Sequence, residues 1–435
     1  YATIYLANLV IERFDAGESE VKARNIAEAK FFRAICYFEL TTLWGTPPLV
    51  DRVLKNSEEY KVPNSTSGQL WKFMETDLTE AITSGKLTSK ASPEDRDGGT
   101  RATLEAARCL LGKVYLYQEK YADAKSELEK VISSGKYDLI ADVGTFYHPA
   151  SAGCEEYVLE CVRHYDPSNM YSQEGWYGIL ANWGFGYGFI AGPEASMHYK
   201  FNTTSGYSYF NPSKSLYDAF VAEEGADGYR LNAWIRTWEQ VVAMNIAVNT
   251  TTNKYASEGY FRLKWLASTD DEFVGYWCGN QSNTPVIRYA DVLLMAAEAC
   301  LQAGDQAGAD EYLGRVRDRA RLPRKNHVTL SDIKLERRLE LAMEGTRFQD
   351  LKRWGDAPAV LADKGKKLPT FQIVPDPNND LTTAAGIYNA RYTTKITYVD
   401  NEKPLAGWTP GRDEWLPFPE NELEVNGNLK QNPGY

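Results

Sequence analysis

The sequence predicts a mostly α-helical protein: a tetratricopeptide-like scaffold of helix pairs, broken by a long irregular, loop-rich insertion and accompanied by short strands. Two observations carry that prediction. A helix-pair pattern occurs twice, 185 residues apart, at Arg108–Leu128 and at Leu293–Leu313. In each copy a small residue (Gly112, Ala297) is followed twelve positions later by alanine (Ala124, Ala309) and after four more by leucine (Leu128, Leu313). Small residues belong where two antiparallel helices touch, with larger apolar side chains filling the space around them. The second observation is what separates the copies. Between Asp138 and Pro285 the 3.6-residue periodicity fades, and Gly, Asn, Ser and Thr become dense.

Residues 1–137 read as the N-terminal helical part. The chain opens on Ile4, Leu6, Leu9, Val10 and Phe14, already inside a helical pattern. The natural N-terminus, with any targeting or lipid-attachment signal, is expected to have been removed. From Ala27 to Trp44 a stripe of Phe31, Ala34, Ile35, Phe38 and Leu43 predicts a helix closed by Gly45 and Pro47-Pro48. Gln69 to Ile82 is a second, with Trp71, Met74, Leu78 and Ile82 on one face. The polar loop Ser92–Gly99 precedes the first full helix pair, which stops at Gly135.

Residues 138–285 read as the insertion, with one short helix at Ser213–Ala222. Helices resume at Val286, and Leu330 to Trp354 reads as one long helix, so 286–355 completes the scaffold. After Gly355 the pattern is loops and short strands to Tyr435, giving a C-terminal segment 356–435 of the same unit. Irregular chain as long as the insertion is usually functional inside a compact protein.

Composition narrows the function. At 435 residues and 43% apolar, the chain is long enough for a large core. Its net charge of −11 and pI near 5.1 exclude the basic face that nucleic acid requires. No apolar run reaches the length needed to cross a membrane. Aromatic residues are abundant at 13%, with 28 Tyr against 16 Phe. Tyr and Trp join a flat apolar face to a polar edge, which suits ligand-facing surfaces. Cys36, Cys109 and Cys300 read as small core residues. Cys154 and Cys161 flank a strand-like segment roughly 23 Å long, so they pair only if it folds back. Their state, and that of Cys278, stays open.

Catalytic signatures are absent: there is no His-Glu-x-x-His, no Gly-x-Ser-x-Gly and no phosphate loop. Gly186–Ala191 formally fits a dinucleotide fingerprint, but Gly192-Pro193 stands where its helix should begin. The Asp/Asn-rich stretch Asp376–Asp380 lacks the EF-hand pattern. No metal or cofactor is expected. Glu340 and Glu344 could be imagined as a hydrolase pair. With Glu336, Arg337, Arg347 and Arg353 around them at turn spacing, an ion-pair network is the preferred reading.

Several segments together resemble the SusD/RagB family of outer-membrane lipoproteins. Ala27–Phe38 with Leu43–Val50 is similar to its first block, and Ile287–Met295 with Ala297-Glu298-Ala299 to its second. Glu336–Gly345 with Arg347–Gly355 resembles the third, and Leu416–Pro419 through Asn428–Tyr435 the terminal motif. Pro212–Phe220 and Tyr229-Arg230 add a weaker fifth. The resemblance implies a right-handed stack of helix pairs and no enzymatic activity. It also implies a surface lipoprotein of the outer membrane, attached through a lipid anchor outside this chain. Such a protein captures oligosaccharides and delivers them to a SusC-like TonB-dependent transporter. The matching blocks are scaffold, so the resemblance assigns no binding residue.

Candidate ligand contacts come instead from the residues themselves. Trp176, Tyr177, Trp183, Tyr187, Tyr276 and Trp277 lie in the loops Tyr171–Phe210 and Tyr255–Asn283, with Asn182, Asn280 and Gln281 as hydroxyl partners. A flat ring can cover the C–H face of a sugar while polar neighbours bond its hydroxyls. The alternative is a peptide- or glycopeptide-binding scaffold that uses the tetratricopeptide groove.

Overall fold

A computed structural model describes residues 1–146, 148–162, 189–190, 211–237, 239–240, 247–248, 258–264, 283–379, 382, 392–403 and 406–435. Five helices open the chain: α1 (Ala2–Arg13), α2 (Glu20–Trp44), α3 (Ser67–Thr83), α4 (Leu104–Leu116) and α5 (Tyr121–Ser133). Side-chain caps fix the starts of α2, α3 and α4. Ser19 accepts from the Lys22 amide, Thr103 accepts from the Ala106 amide, and Thr66 with Gln69 forms a capping box. Gly45, at φ +76°, ends α2 as the sequence predicts.

After α5 the chain leaves the helices through two 3₁₀ turns and strand β1 (Tyr157–Cys161). The described insertion continues with β2 (Phe189–Ile190), α6 (Lys214–Glu224), α7 (Tyr229–Trp234), β3 (Ile235–Thr237), β4 (Ala247–Val248), β5 (Tyr260–Arg262) and β6 (Thr284–Arg288). The scaffold then resumes as α8 (Tyr289–Gln302), α9 (Gln306–Arg319), α10 (Leu330–Glu340), α11 (Arg347–Arg353) and α12 (Ala357–Val360). A hairpin of β7 (Lys367–Pro375) and β8 (Tyr392–Asp400) and a short α13 (Glu420–Val425) close the chain. All strand pairs are antiparallel ribbons: β1 with β6, β2 with β4, β3 with β5, and β7 with β8.

The twin pattern does what its spacing implies. A Cβ added to Gly112 would stand 2.7 Å from Leu128 Cγ and 3.4 Å from the Ala124 carbonyl oxygen. Ala124, Leu128, Ala297, Ala309 and Leu313 are all fully buried. Although distant in sequence, the two pairs adjoin, because α5 packs against α8. One apolar core therefore runs from Ile4 and Phe31 through Leu110 and Val131 to Leu293, Leu313 and Ile333. A second, smaller core of Phe146, Tyr157, Phe220, Leu231 and Trp234 seals the insertion onto Leu339 and Ala342 at the end of α10.

Two sequence expectations need correction. Val286 does not begin a helix. Thr284–Arg288 is a strand, and its pairing with β1 satisfies the backbone before α8 starts at Tyr289. Leu330–Trp354 is not one helix: it stops at Glu340 and restarts at Arg347. Met343 and Gly345 take positive φ (+66° and +83°) in the intervening turn, a conformation a helix excludes. In the C-terminal segment β7 and β8 pair over nine residues each. Elsewhere the expected helices stand, including the insertion helix, capped by Ser213. Cys109 and Cys300 are buried, Cys36 packs at the core's edge, and the five described cysteines are free thiols. Among the described residues no helix is long and apolar enough to cross a membrane.

Candidate functional site

Among the described residues, buried arginines and glutamates join insertion to scaffold in one lattice. Arg230 of α7 reaches Glu224 at 2.7 Å, Glu336, and Glu340 at 3.0 Å. Arg288, the last residue of β6, binds Glu156, Glu340 at 3.1 Å and Glu344 at 2.6 Å. Arg319 joins Glu156 at 2.9 Å to Glu340, and Arg317 joins Glu223 to Glu336. Burial alone would raise the Glu340 carboxyl, but Arg319, Arg288 and Arg230 outweigh it and hold it well below the ordinary carboxylate range. A carboxylate enclosed this way has no proton to give and no open face for substrate, so the ion-pair reading of Glu340 and Glu344 holds.

The break after α10 belongs to the same lattice. Ending the helix at Glu340 frees carbonyl groups at the negative end of its dipole, and cations fill the position. Arg288 Nη2 donates to the Glu340 carbonyl at 3.1 Å. Lys264 donates to the carbonyls of Glu340 (3.0 Å) and Ala342 (3.1 Å), with its ammonium 3.8 Å above the Trp234 ring.

These contacts fix the points from which the aromatic loops depart. Cys161 pairs with Thr284, so the segments after β1 and before β6 leave from one end of a single ribbon. Asn283 donates to Glu160 of β1 at 3.0 Å. Thr237 pairs with Tyr260, which brings both ends of the segment between β3 and β5 together. The residues singled out from sequence, Trp176, Tyr177, Asn182, Trp183, Tyr187, Tyr276, Trp277, Asn280 and Gln281, lie outside the described residues.

Beside those roots stands an aromatic cluster that sequence reasoning did not single out. Tyr217 of α6 and Tyr260 of β5 stack with centroids 4.5 Å apart and planes at 26°. Tyr398 of β8, half exposed, donates its hydroxyl to Glu258 at 2.7 Å, and that carboxylate pushes the phenol up to about 12. Phe371 on the inner face of the hairpin is buried where a Cβ at Gly259 would meet it at 2.5 Å, which locks the hairpin onto the segment carrying Tyr260. In the sequence Tyr217 stands only within the block Pro212–Phe220.

Two concave surfaces stand elsewhere among the described residues. A cleft of about 700 Å³ opens between α1, α2 and the C-terminal segment, lined by Tyr5, Trp44, Pro48, Tyr60, Phe418 and Val425 among others. A shallower groove along α5 carries Lys125, Ser126, Glu129 and Tyr312.

Comparison with known proteins decides the family. A family model described as "SusD family" matches residues 156–435, and one described as "Starch-binding associating with outer membrane" matches residues 1–116. The chain belongs to the SusD family. A SusD-like protein of Bacteroides ovatus is 26% identical over the whole chain, which spans 79% of that relative. Among solved structures, a laminarin binding SusD-like protein superposes with TM-score 0.77 at 28% identity, over 99% of this chain and 84% of the other. Surface glycan-binding protein A from Bacteroides thetaiotaomicron, in complex with laminarihexaose, gives 0.68 at 24% identity over 95% and 79%. At that identity the second likeness speaks for the fold alone.

Proposed function

We propose that this SusD-family protein binds oligosaccharides without altering them and delivers them to a SusC-like TonB-dependent transporter, as a surface-exposed lipoprotein of the outer membrane. Residues 138–285 serve as the ligand-bearing insertion, held up by 1–137 and 286–355, with 356–435 completing the same unit. The observation that carries the reading is the near full-length likeness to a laminarin binding SusD-like protein at 28% identity. The outer-membrane placement draws on the family description matched by residues 1–116.

The chemistry agrees. Rooted at the ends of β1, β3, β5 and β6, the loops bring Trp176, Tyr177, Trp183, Tyr187, Tyr276 and Trp277 to bear, with Asn182, Asn280 and Gln281 bonding hydroxyls. Tyr217, Tyr260 and Tyr398 extend this surface. Each ring under a sugar contributes on the order of 1 kcal/mol, so several stacks give affinity between micromolar and millimolar. Laminarin is the first glycan to test.

Isothermal titration across a panel of neutral and charged glycans, with laminarin and laminarihexaose included, is the experiment. Binding without release of reducing ends supports the proposal, and loss of affinity in W277A and Y260A locates the surface. No binding anywhere on the panel refutes it. Affinity confined to peptides and abolished by substitutions in the α5 groove would favour the peptide-binding alternative.

A further inference from the structure

Three separate elements bring tyrosines to one place. Tyr217 stands on α6, Tyr260 on β5 and Tyr398 on β8. Glu258 ties these elements together. One of its carboxylate oxygens accepts from the Tyr398 hydroxyl at 2.7 Å, and the other accepts from the main-chain amide of Lys214 at the start of α6. Two further contacts hold the frame. Arg338 of α10 donates to the Ser215 carbonyl at 3.0 Å and to its hydroxyl at 2.8 Å, which fixes the first turn of α6. Gly259, at φ +83° between Glu258 and Tyr260, lets Phe371 approach, and the partner of Phe371 across the hairpin is Ile396, two residues before Tyr398 on the same face.

The polar atoms that Glu258 and Tyr398 offer are acceptors. A carboxylate has about four acceptor sites, and the two donors use one on each oxygen. With its hydrogen directed at Glu258, the Tyr398 hydroxyl presents lone pairs as well. The nearby ammonium of Lys214 is bridged to Asp218 one turn along the helix. A hydroxyl arriving here finds acceptors. A carboxylate or sulfate group meets two carboxylates and a cation already paired, on a chain of net charge −11.

We propose that Tyr398, Glu258 and the Tyr217–Tyr260 stack form a subsite for one uncharged sugar ring. Tyr398 covers a C–H face of that ring and Glu258 takes the hydrogens of adjacent hydroxyls, so the protein favours neutral over anionic glycans. The inference rests on the reading of the protein as a glycan binder and adds the charge class of the ligand. Tyr398 is half exposed, which leaves ring surface for a ligand to cover. The Tyr217–Tyr260 pair, stacked at 4.5 Å and packed against the second core, is a firm wall beside it. A phenol already tethered through its hydroxyl and its strand loses less freedom on binding than an untethered one.

Calorimetric titration on the full chain tests this, with laminarihexaose, cellohexaose and maltohexaose as neutral probes and hexagalacturonate and sulfated laminarin as anionic ones. Wild type should bind at least one neutral probe at least tenfold more tightly than either anionic one. Y398A should weaken that binding at least fivefold, while Y398F, which keeps the ring, should retain more of it. E258Q should weaken neutral binding at least threefold and narrow the gap to the anionic probes. Y60A removes an exposed tyrosine of the cleft beside α1 and should leave the dissociation constant within twofold. Urea melts check that each variant is folded, and E258Q, which keeps the size of the side chain, carries the test should Y398A unfold. Affinity within twofold of wild type in a folded Y398A or in E258Q overturns the subsite and leaves the proposed function standing. Tighter binding of an anionic probe than of every neutral one overturns the selectivity and the part given to Glu258. A wild type that binds no glycan overturns both readings.

Discussion

Replacing Glu340 by glutamine removes the charge at the centre of the lattice and keeps the shape. Its side chain is fully buried and serves Arg230 at 3.0 Å, Arg288 at 3.1 Å and Arg319. Each arginine retains a second carboxylate: Glu224 and Glu336 for Arg230, Glu156 and Glu344 for Arg288, Glu156 for Arg319. None is left bare, yet the amide turns an N–H toward guanidinium donors that it cannot satisfy. Removing one partner of a buried pair costs roughly 3–5 kcal/mol, and E340Q should lie in that range. D218N is the control, because Lys214–Asp218 is a half-exposed pair one helical turn apart, which solvent screens. Urea unfolding followed by far-ultraviolet circular dichroism measures both. An E340Q variant within about 1 kcal/mol of wild type, or no more affected than D218N, would refute the claim that this lattice joins insertion to scaffold.

Other perturbations probe the scaffold and thiols. G112A forces a methyl against Leu128, so overpacking of about 1–3 kcal/mol exceeds the gain of about 1 kcal/mol in helix propensity. Urea melts should show net loss, and a G112A/L128A double variant should lose less than the sum of the two. Burial raises the Asp291 carboxyl, but Lys113 and Arg337 outweigh it and bring it to about 2. The unfolded group protonates near pH 4, so the unfolded state binds more protons between pH 4 and 2 and stability falls as pH drops through that window. D291N should be less stable at pH 7 and lose that part of the acid dependence. Exposed Cys161 should react with a disulfide reagent in the fast phase, while Cys154, whose thiol burial pushes up to about 12, stays inert. C161S should remove one fast equivalent by absorbance titration.

The helical scaffold was legible because its determinants are local and periodic. Gly112 with Ala124 and Leu128, and Ala297 with Ala309 and Leu313, announce helix contacts through spacing alone. What failed depends on partners far along the chain. Val286 sits in an apolar run continuous with α8, and only pairing with β1, more than a hundred residues earlier, makes it a strand. The charged pattern from Glu336 to Arg353 is helical throughout, and the turn at Met343–Gly345 follows from cations at Lys264 and Arg288 that take the freed carbonyls. Tyr217 and Tyr260 escaped notice for the same reason: the stack joins α6 to β5, and neither segment alone contains it.

That division between local and distant determinants explains how such a chain can carry a variable ligand surface. The helix pairs bury their own seams, and Val158 and Leu159 of β1 add to the same core. The described part of the insertion reaches them through β1, a small second core and charges. Arginine–glutamate contacts are directional, so they fix where β1, β6 and α7 stand. Exchanging the loop between Lys264 and Asn283 for that of a relative should accordingly change which glycan binds in titration while leaving the urea midpoint within experimental scatter. A graft that unfolds the helices would show that the loops and scaffold are not separable in this way.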